Sequence, residues 1–183
     1  MQIPFGEWLP DQPEHGKQGA NVATNVYYAL NSYKRFPSLV SYSSNNIGAD
    51  ARGGGSFRDN SGNVFNFVAK NTDIYQLASG AFTSRKGSLT GTNTDYWTFT
   101  QFGNYVIASN GVDAPQYYLM GTSTNFANLS AIQTAGTVPT FRVSGVIRDF
   151  LVTGNQTSNQ NRIQWSGIND ITTWLSGTKQ ADQ

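Results

Sequence analysis

Seven aspartates between residues 50 and 170 are the side chains best suited to chemistry, because two carboxylates can act together as general acid and base. A glycosidase needs two such groups that converge on one bond. Most of the seven lie within two positions of a Gly or Asn, in stretches where aspartate is favoured in turns. They are Asp50, Asp59, Asp73, Asp95, Asp113, Asp149 and Asp170. We interpret them as turn residues, and convergence of two of them stays open.

Metal, thiol and phosphate chemistry have few candidate residues. His15 is the only histidine, and the chain has no cysteine, so a zinc site or a thiolate nucleophile lacks its usual ligands. Gly53-Gly54-Gly55 is not followed by the Gly-Lys-Ser/Thr of a phosphate-binding loop. We therefore predict no catalytic residue, no metal, no cofactor and no enzymatic activity.

The composition favours strands over helices and argues against a nucleic-acid-binding surface. Charged residues make up 13% of the chain and the net charge is +1, whereas proteins that grip DNA present many cations to its phosphates. Asn, Gly, Thr and aromatic residues are abundant, and these residue types suit pleated strands joined by tight turns. The expected fold class is all-β.

The first part of the chain differs from the rest. Residues 1–20 contain Pro4, Pro10 and Pro13, and we predict an extended arm there, anchored by isolated aromatics. Residues 21–47 are ambiguous, because a helical stripe and two short strands around a turn both fit; we favour strands that pack on the remainder. The N-terminus lacks the features of a signal peptide, and no apolar run is long enough to span a membrane.

From residue 48 onward the strand motifs recur. Asn63, Asn104 and Asp149 each precede an apolar strand, and they are 41 and 45 positions apart. Four short strands at such a period are typical of the blades of a β-propeller. We predict a propeller-like fold with three blades at about 48–92, 93–137 and 138–183, and almost no helix after residue 50.

Three blades are fewer than the four to eight that close a propeller. We therefore expect the chain to be part of a larger propeller. Stacking of neighbouring sheets should bury one set of aromatic and aliphatic residues between them. The set is Phe65, Phe67, Tyr105, Ile107, Phe150, Val152 and Trp165.

Two segments together resemble a known family. One runs through Pro4-Phe5-Gly6-Glu7-Trp8-Leu9-Pro10-Asp11 to Tyr33-Lys34-Arg35-Phe36-Pro37-Ser38-Leu39, and the other is Asn161-Arg162-Ile163-Gln164-Trp165-Ser166-Gly167-Ile168-Asn169-Asp170. Both are similar to the tail nozzle proteins of short-tailed bacteriophages, also described as packaged-DNA stabilisation proteins.

The resemblance implies a structural role in the virion. Members of that family carry a propeller-like β domain and form a hexameric ring below the portal and adaptor, which closes the DNA exit channel until ejection. It implies location in the phage tail after assembly in the host cytoplasm, and DNA that passes without tight binding. The motifs contain no catalytic residue. We expect the aromatic side chains of Phe5, Trp8 and Phe36 to contact partner proteins.

Two other functions remain as alternatives. A carbohydrate-binding propeller, either a lectin or a receptor-binding protein, would stack exposed Trp and Tyr side chains on sugar rings. A propeller hydrolase would bring two of the aspartates together.

Overall fold

The computed structural model describes residues 8–9, 11, 15, 22, 24–29, 32–38 and 40–183. The chain divides into two compact units, Met1–Ser41 and Tyr42–Gln183. In the first unit, strands β1 (Val26–Ala29) and β2 (Ser32–Arg35) form an antiparallel hairpin. Residues 26–35 thus contain two short strands around a turn, and the packing of residues 21–47 on the remainder stays a prediction.

The second unit begins with a four-stranded antiparallel sheet, which we call the first sheet. Its strands follow the chain in order: β3 (Gly53–Arg58), β4 (Val64–Ala69), β5 (Ile74–Ala78) and β6 (Ala81–Lys86). Alternating Phe and Val in β4 favours the pleated conformation. The β3–β4 turn reverses at Gly62, whose φ of 89° suits a residue without a Cβ.

A second antiparallel sheet repeats the same order. It consists of β7 (Thr98–Phe102), β8 (Tyr105–Ser109), β9 (Gln116–Leu119) and the short β10 (Ala127–Asn128). A single 3-10 turn, Leu129–Ile132, follows it. With only 3% of residues in helices and 43% in strands, the all-β prediction and the expected scarcity of helix are confirmed.

The third sheet has three antiparallel strands. Its members are β12 (Phe141–Ile147), β13 (Phe150–Gln156) and β14 (Gln164–Trp165). Four strands per blade were expected, and for the third sheet that prediction is wrong. Strand β15 (Thr173–Trp174) instead pairs in parallel with β11 (Ala135–Gly136), because the Trp174 ring is buried in the core beneath the second sheet.

Two hydrophobic clusters show that the three sheets stack face to face. The first cluster joins side chains of the first and second sheets, and the second cluster joins side chains of the second and third sheets. The second sheet therefore lies in the middle. In its strand β8, Val106 and Ala108 belong to the first cluster while Ile107 belongs to the second. None of the sheets closes into a barrel.

Only part of the predicted buried set is buried. Phe67 and Ile107 are enclosed between sheets, as predicted, while Phe65 and Tyr105 are half-buried at the edges of the two clusters. The prediction is wrong for the members on the third sheet. Leu151 points into the second cluster, so its neighbours in β13, and the residue of β14 that pairs with Val152, point the other way, where the second unit has no further sheet. These members, all half-buried, are Phe150, Val152 and Trp165.

Candidate interaction surfaces

Asp59, one of the aspartates that could have formed an acid–base pair, is engaged in its own turn. The carboxylate of Asp59 accepts hydrogen bonds from the backbone N–H of Ser61 at 2.9 Å and of Asn63 at 2.8 Å. The side-chain amide of Asn63 donates to the same carboxylate, and this bond, with the backbone bonds, lowers the pKa of Asp59 although burial opposes the shift. Asp59 thus closes the β3–β4 turn.

Two more aspartates connect the sheets. Thr90 lies in the linker between the first and second sheets, and Asp113 lies in the loop between β8 and β9. The Asp113 carboxylate accepts hydrogen bonds from the backbone N–H of Thr90 at 2.8 Å and from its hydroxyl at 2.7 Å. Asp95 accepts from the backbone N–H of Thr92 at 2.8 Å and forms an ion pair of 3.2 Å with Arg142 on the third sheet. These carboxylates stabilise the packing of the three sheets against one another.

Asp170 has the most strongly shifted pKa. Burial raises its pKa, but hydrogen bonds from Lys179, Thr172 and Thr173 outweigh burial and hold the pKa far below the usual 3.8. The carboxylate is therefore ionised at neutral pH and bound on several sides by its own loop. A general acid would need the opposite shift.

The described residues contain no group of three or more His, Asp or Glu side chains that could hold a metal ion. In the part of the chain covered by the structure, no helix is long and apolar enough to cross a membrane. His15, the sole histidine, is exposed.

The three predicted contact residues lie in the first unit. Phe5 lies outside the described residues. The Trp8 side chain is 55% exposed and the Phe36 side chain is 61% exposed. The ring of Phe36 meets the edge of Tyr27 at a centroid distance of 5.7 Å. Trp8 and Phe36 therefore offer apolar surface, as a contact residue requires.

A larger apolar surface lies on the third sheet, and the repeat defines it. Phe67 in β4 packs against the second sheet, Ile107 in β8 packs against the third sheet, and Val152 in β13 points away from the second sheet, because its neighbour Leu151 points toward it. We call the face that carries Phe67, Ile107 or Val152 the forward face of its sheet, and the opposite face the rear face. The forward faces of the first and second sheets contact the rear face of the next sheet. The forward face of the third sheet has no such neighbour within the second unit.

This uncovered forward face contains residues that the sequence reasoning missed. The exposed side-chain fractions are 51% for Val143, 62% for Ile147 and 59% for Ile163. A signal was present in the sequence. Val143, Gly145 and Ile147 occupy every second position of β12, so they lie on one face of the strand. The predicted buried set included residues of β13 but none of β12.

The same face has a hollow floored by glycine. Val143, Val152 and Ile163 surround a shallow groove of about 280 Å³, with Gly145 and Gly154 at its base. A Cβ added at Gly145 would meet nothing within 4 Å. The hollow is thus open space that an incoming side chain can fill.

A second, more polar cleft of about 350 Å³ lies beside the chain's C-terminal segment. The side-chain amide of Gln156 donates to the side-chain oxygen of Gln164 at 3.2 Å, and the amide of Gln164 donates to the Trp174 carbonyl at 3.3 Å. The Trp174 ring is buried and its indole N–H donates to the carbonyl of Ile171. It therefore presents no free ring face on which a sugar could stack.

No protein-family model matches the chain, and no curated protein matches it.

Proposed function

We propose that this chain is a structural component of a bacteriophage tail, part of the nozzle or hub ring below the portal and adaptor. In that place it closes the DNA exit channel and retains the packaged genome until ejection. The observation that carries the proposal is the uncovered forward face of the third sheet. Its equivalents in the first two sheets are covered by the next sheet, so this face is suited to cover by a further sheet or by a protein partner.

The stacked sheets support a propeller-like arrangement. Each sheet is one antiparallel meander, and successive sheets contact each other through opposite faces in the same order. In a repeat of this kind, each sheet contacts the next through the same pair of faces. The sheet at the end of the series therefore keeps an apolar face that is not covered. In the proposed role the chain supplies three sheets of a larger propeller.

The electrostatics suit a channel through which DNA slides. Each neutralised phosphate adds affinity and would retard ejection. The chain has a net charge of +1, and several of its cations are paired: Arg142 with Asp95, Lys179 with Asp170 and Lys70 with Asp73. The proposed lumen is therefore polar but holds DNA weakly.

The partners in this proposal are other copies of the chain and the proteins of the tail. A ring homo-oligomer, with six copies as the resemblance implies, forms the channel. Phe5, Trp8 and Phe36 then serve as apolar anchors into a neighbouring subunit or into the adaptor above. Such anchors carry much of an interface's binding energy.

Particles from a phage genome with this gene interrupted test the proposed function. They are expected to package DNA and then lose it, because the exit channel stays open. Nuclease-protected genome copies per particle, counted by quantitative PCR before and after incubation, measure the loss. A matched genome with a silent change at the same codon is the control. Mutant particles that keep their DNA as well as the control would contradict the proposal.

Duplex DNA binding gives an independent check. Fluorescence anisotropy with a labelled duplex is expected to show negligible binding at physiological salt. Sub-micromolar affinity that falls steeply with added salt would instead identify a nucleic-acid-binding protein.

A further inference from the structure

We propose that a polar cleft at the β6 edge of the first sheet binds a phosphate group with two negative charges, the group found in inorganic phosphate and in phosphomonoesters. The cleft has a volume of about 370 Å³ and is lined by Ser84, Arg85, Lys86, Gly87, Asn125 and Phe126. It lies where the end of β6 meets the loop before β10 of the second sheet. This site goes beyond the proposed function and does not depend on it.

Arg85 and Lys86 supply two positive charges to the cleft, and the described residues offer neither of them an acidic partner. None of the ion pairs in that part of the chain includes either side chain. Both residues are half-buried, so salt screens them less than it screens a fully exposed lysine or arginine. A phosphate with two negative charges would match the charge of this pair.

A break in the strand pairing and a buried glutamine orient Arg85. The pairing of β5 with β6 shifts between Ile74 and Tyr75, which leaves Arg85 as the extra residue of a β-bulge. Bulges redirect side chains and are common beside functional sites. The Nε–H of Arg85 donates to the Oε1 atom of Gln76 at 2.9 Å, and Gln76 is only 8% exposed. The N–H groups on the terminal nitrogens have no acceptor among the described residues, so they are available to a ligand.

The wall of the cleft is held in place by the second sheet. The backbone N–H of Phe126 donates to the Arg85 carbonyl at 2.8 Å. The ring of Phe126 is buried, 5.0 Å from that of Phe67 and 5.1 Å from that of Tyr118. Burial raises the pKa of Tyr118 and the positive charge of Arg85 opposes the shift, so the guanidinium lies near this buried ring. A cleft with fixed walls loses little conformational entropy when it binds a ligand.

The neutral groups of the cleft suit phosphate better than a sugar. Ser84 and Asn125 are exposed, and their hydroxyl and amide groups can donate further hydrogen bonds. Phe126 is the one aromatic residue of the lining, and it is buried, so it presents no free ring face on which a sugar could stack. Recognition here therefore depends on charge and hydrogen bonds, which phosphate oxygens satisfy.

One carboxylate lies near the cleft. A Cβ added at Gly87 would lie 3.0 Å from the Oδ1 atom of Asp73. The other oxygen of Asp73 forms an ion pair of 3.2 Å with Lys70 and accepts a hydrogen bond of 2.6 Å from the Thr72 hydroxyl. Since a third cation balances this carboxylate, the two cations of the cleft remain for the ligand.

Nuclear magnetic resonance titration of the full 183-residue chain tests the proposal. Inorganic phosphate is added at constant pH, and chloride holds the ionic strength constant so that general screening does not change. The amide signals of residues 84–87 and 125–126 are expected to shift and to saturate with a dissociation constant of about 1 mM or below. Shifts that do not saturate by about 20 mM, or that lie mainly elsewhere, would show an adventitious ion only and overturn the inference.

Two substitutions of Arg85 separate a binding site from general attraction between charges. Arg85→Gln is expected to weaken phosphate binding roughly 10-fold or more, because a charge-assisted contact is lost. Arg85→Lys keeps the charge but lacks the planar fork and the Nε–H that Gln76 accepts, so it is expected to weaken binding about 5-fold. An Arg85→Lys chain that binds phosphate as tightly as the unmodified chain would overturn the inference.

Arg58→Gln is the matched control, and it is expected to leave phosphate binding unchanged. Arg58 is an exposed arginine of the same sheet, and none of the ion pairs among the described residues includes it. Circular dichroism must show the same fold for each variant. If Arg85→Gln fails to fold, Lys86→Gln takes its place with the same expected direction. Equal weakening in Arg58→Gln would overturn the inference.

Other ligands identify the group that the cleft recognises. Glycerol 3-phosphate distinguishes the two sources, because tighter binding than that of inorganic phosphate assigns the cleft to a phosphomonoester and weaker binding assigns it to free phosphate. Acetate carries one charge and is expected to bind roughly 5-fold more weakly than phosphate. Acetate that binds as tightly would overturn the inference. A DNA duplex whose binding is lost in Arg85→Gln would also overturn it, since each phosphodiester carries a single charge.

Discussion

The second and third sheets have the same antiparallel strand order, yet they differ in how they are covered. In the second sheet, strand β8 is buried on both faces, with Val106 on one side and Ile107 on the other. In the third sheet, the corresponding strand β13 buries Leu151 on its rear face and leaves Val152 half-exposed on its forward face. The strands have similar apolar composition.

This difference teaches that burial in a stacked repeat depends on the neighbour as well as on the strand. A strand with apolar residues on both faces is suited to the middle of a stack. At an end of the stack, the same pattern produces an exposed apolar face. The following changes test how large that difference is in free energy, from the largest expected effect to the smallest.

The largest expected effect is at Phe67, on the covered forward face of the first sheet. Phe67→Ala is expected to lower the free energy of unfolding by about 3–5 kcal/mol, because the ring contacts Tyr118 and Phe126 across the sheet interface and leaves a cavity. Phe150→Ala, on the uncovered forward face of the third sheet, is expected to cost less than half as much. Urea unfolding followed by tryptophan fluorescence measures both values. Equal losses would mean that the third sheet is covered too.

Two neighbours on β13 sharpen the comparison within a single strand. Leu151→Ala is expected to cost about 2–4 kcal/mol, because Leu151 is fully buried in the second cluster. Val152→Ala is expected to cost about 1 kcal/mol or less, since its side chain points to the uncovered face. The same unfolding experiment, at a concentration where the chain is monomeric, measures the pair. A larger loss at Val152 than at Leu151 would reverse the assignment of the two faces.

The loop that follows the third sheet is expected to make stability depend on pH. The folded pKa of Asp170 lies below its unfolded value of 3.8, so its stabilisation is complete above about pH 5 and is lost as the pH falls through the folded pKa. Asp170→Asn is expected to cost about 1.5 kcal/mol at pH 7 and to flatten the pH dependence below pH 5. Unfolding midpoints at pH 7, 5 and 3 measure this.

Asp50→Asn is the matched control for that experiment. The Asp50 side chain is 89% exposed and lies 3.7 Å from Arg52, so it should change neither the midpoint nor the slope. An unchanged pH dependence in Asp170→Asn would contradict the assigned role of the Asp170 carboxylate.

The smallest effect is expected at Ile147. In the monomer, Ile147→Lys should change the free energy of unfolding by no more than about 0.5 kcal/mol, because the side chain is already mostly in water. Unfolding at low protein concentration measures it. A loss of 2 kcal/mol or more would place Ile147 inside the monomer's core.

The sequence by itself determined the all-β class, the three antiparallel sheets and the scarcity of helix. These features depend on short-range patterns: alternation of apolar residues along strands, and Gly, Asn and Asp in the turns between them. The turn role of Asp59 could likewise be predicted, because the residues that bind its carboxylate are only two and four positions away.

Only the tertiary structure decided which face of each strand is covered. Phe150 and Val152 have the same residue types as buried strand positions, and they are only half-buried because the second unit has no further sheet beside them. The parallel pairing of Trp174 with Gly136 and the ion pair of Arg142 with Asp95 join residues 38 and 47 positions apart. No local pattern specifies such contacts, because they form only when the stacked sheets bring distant segments together.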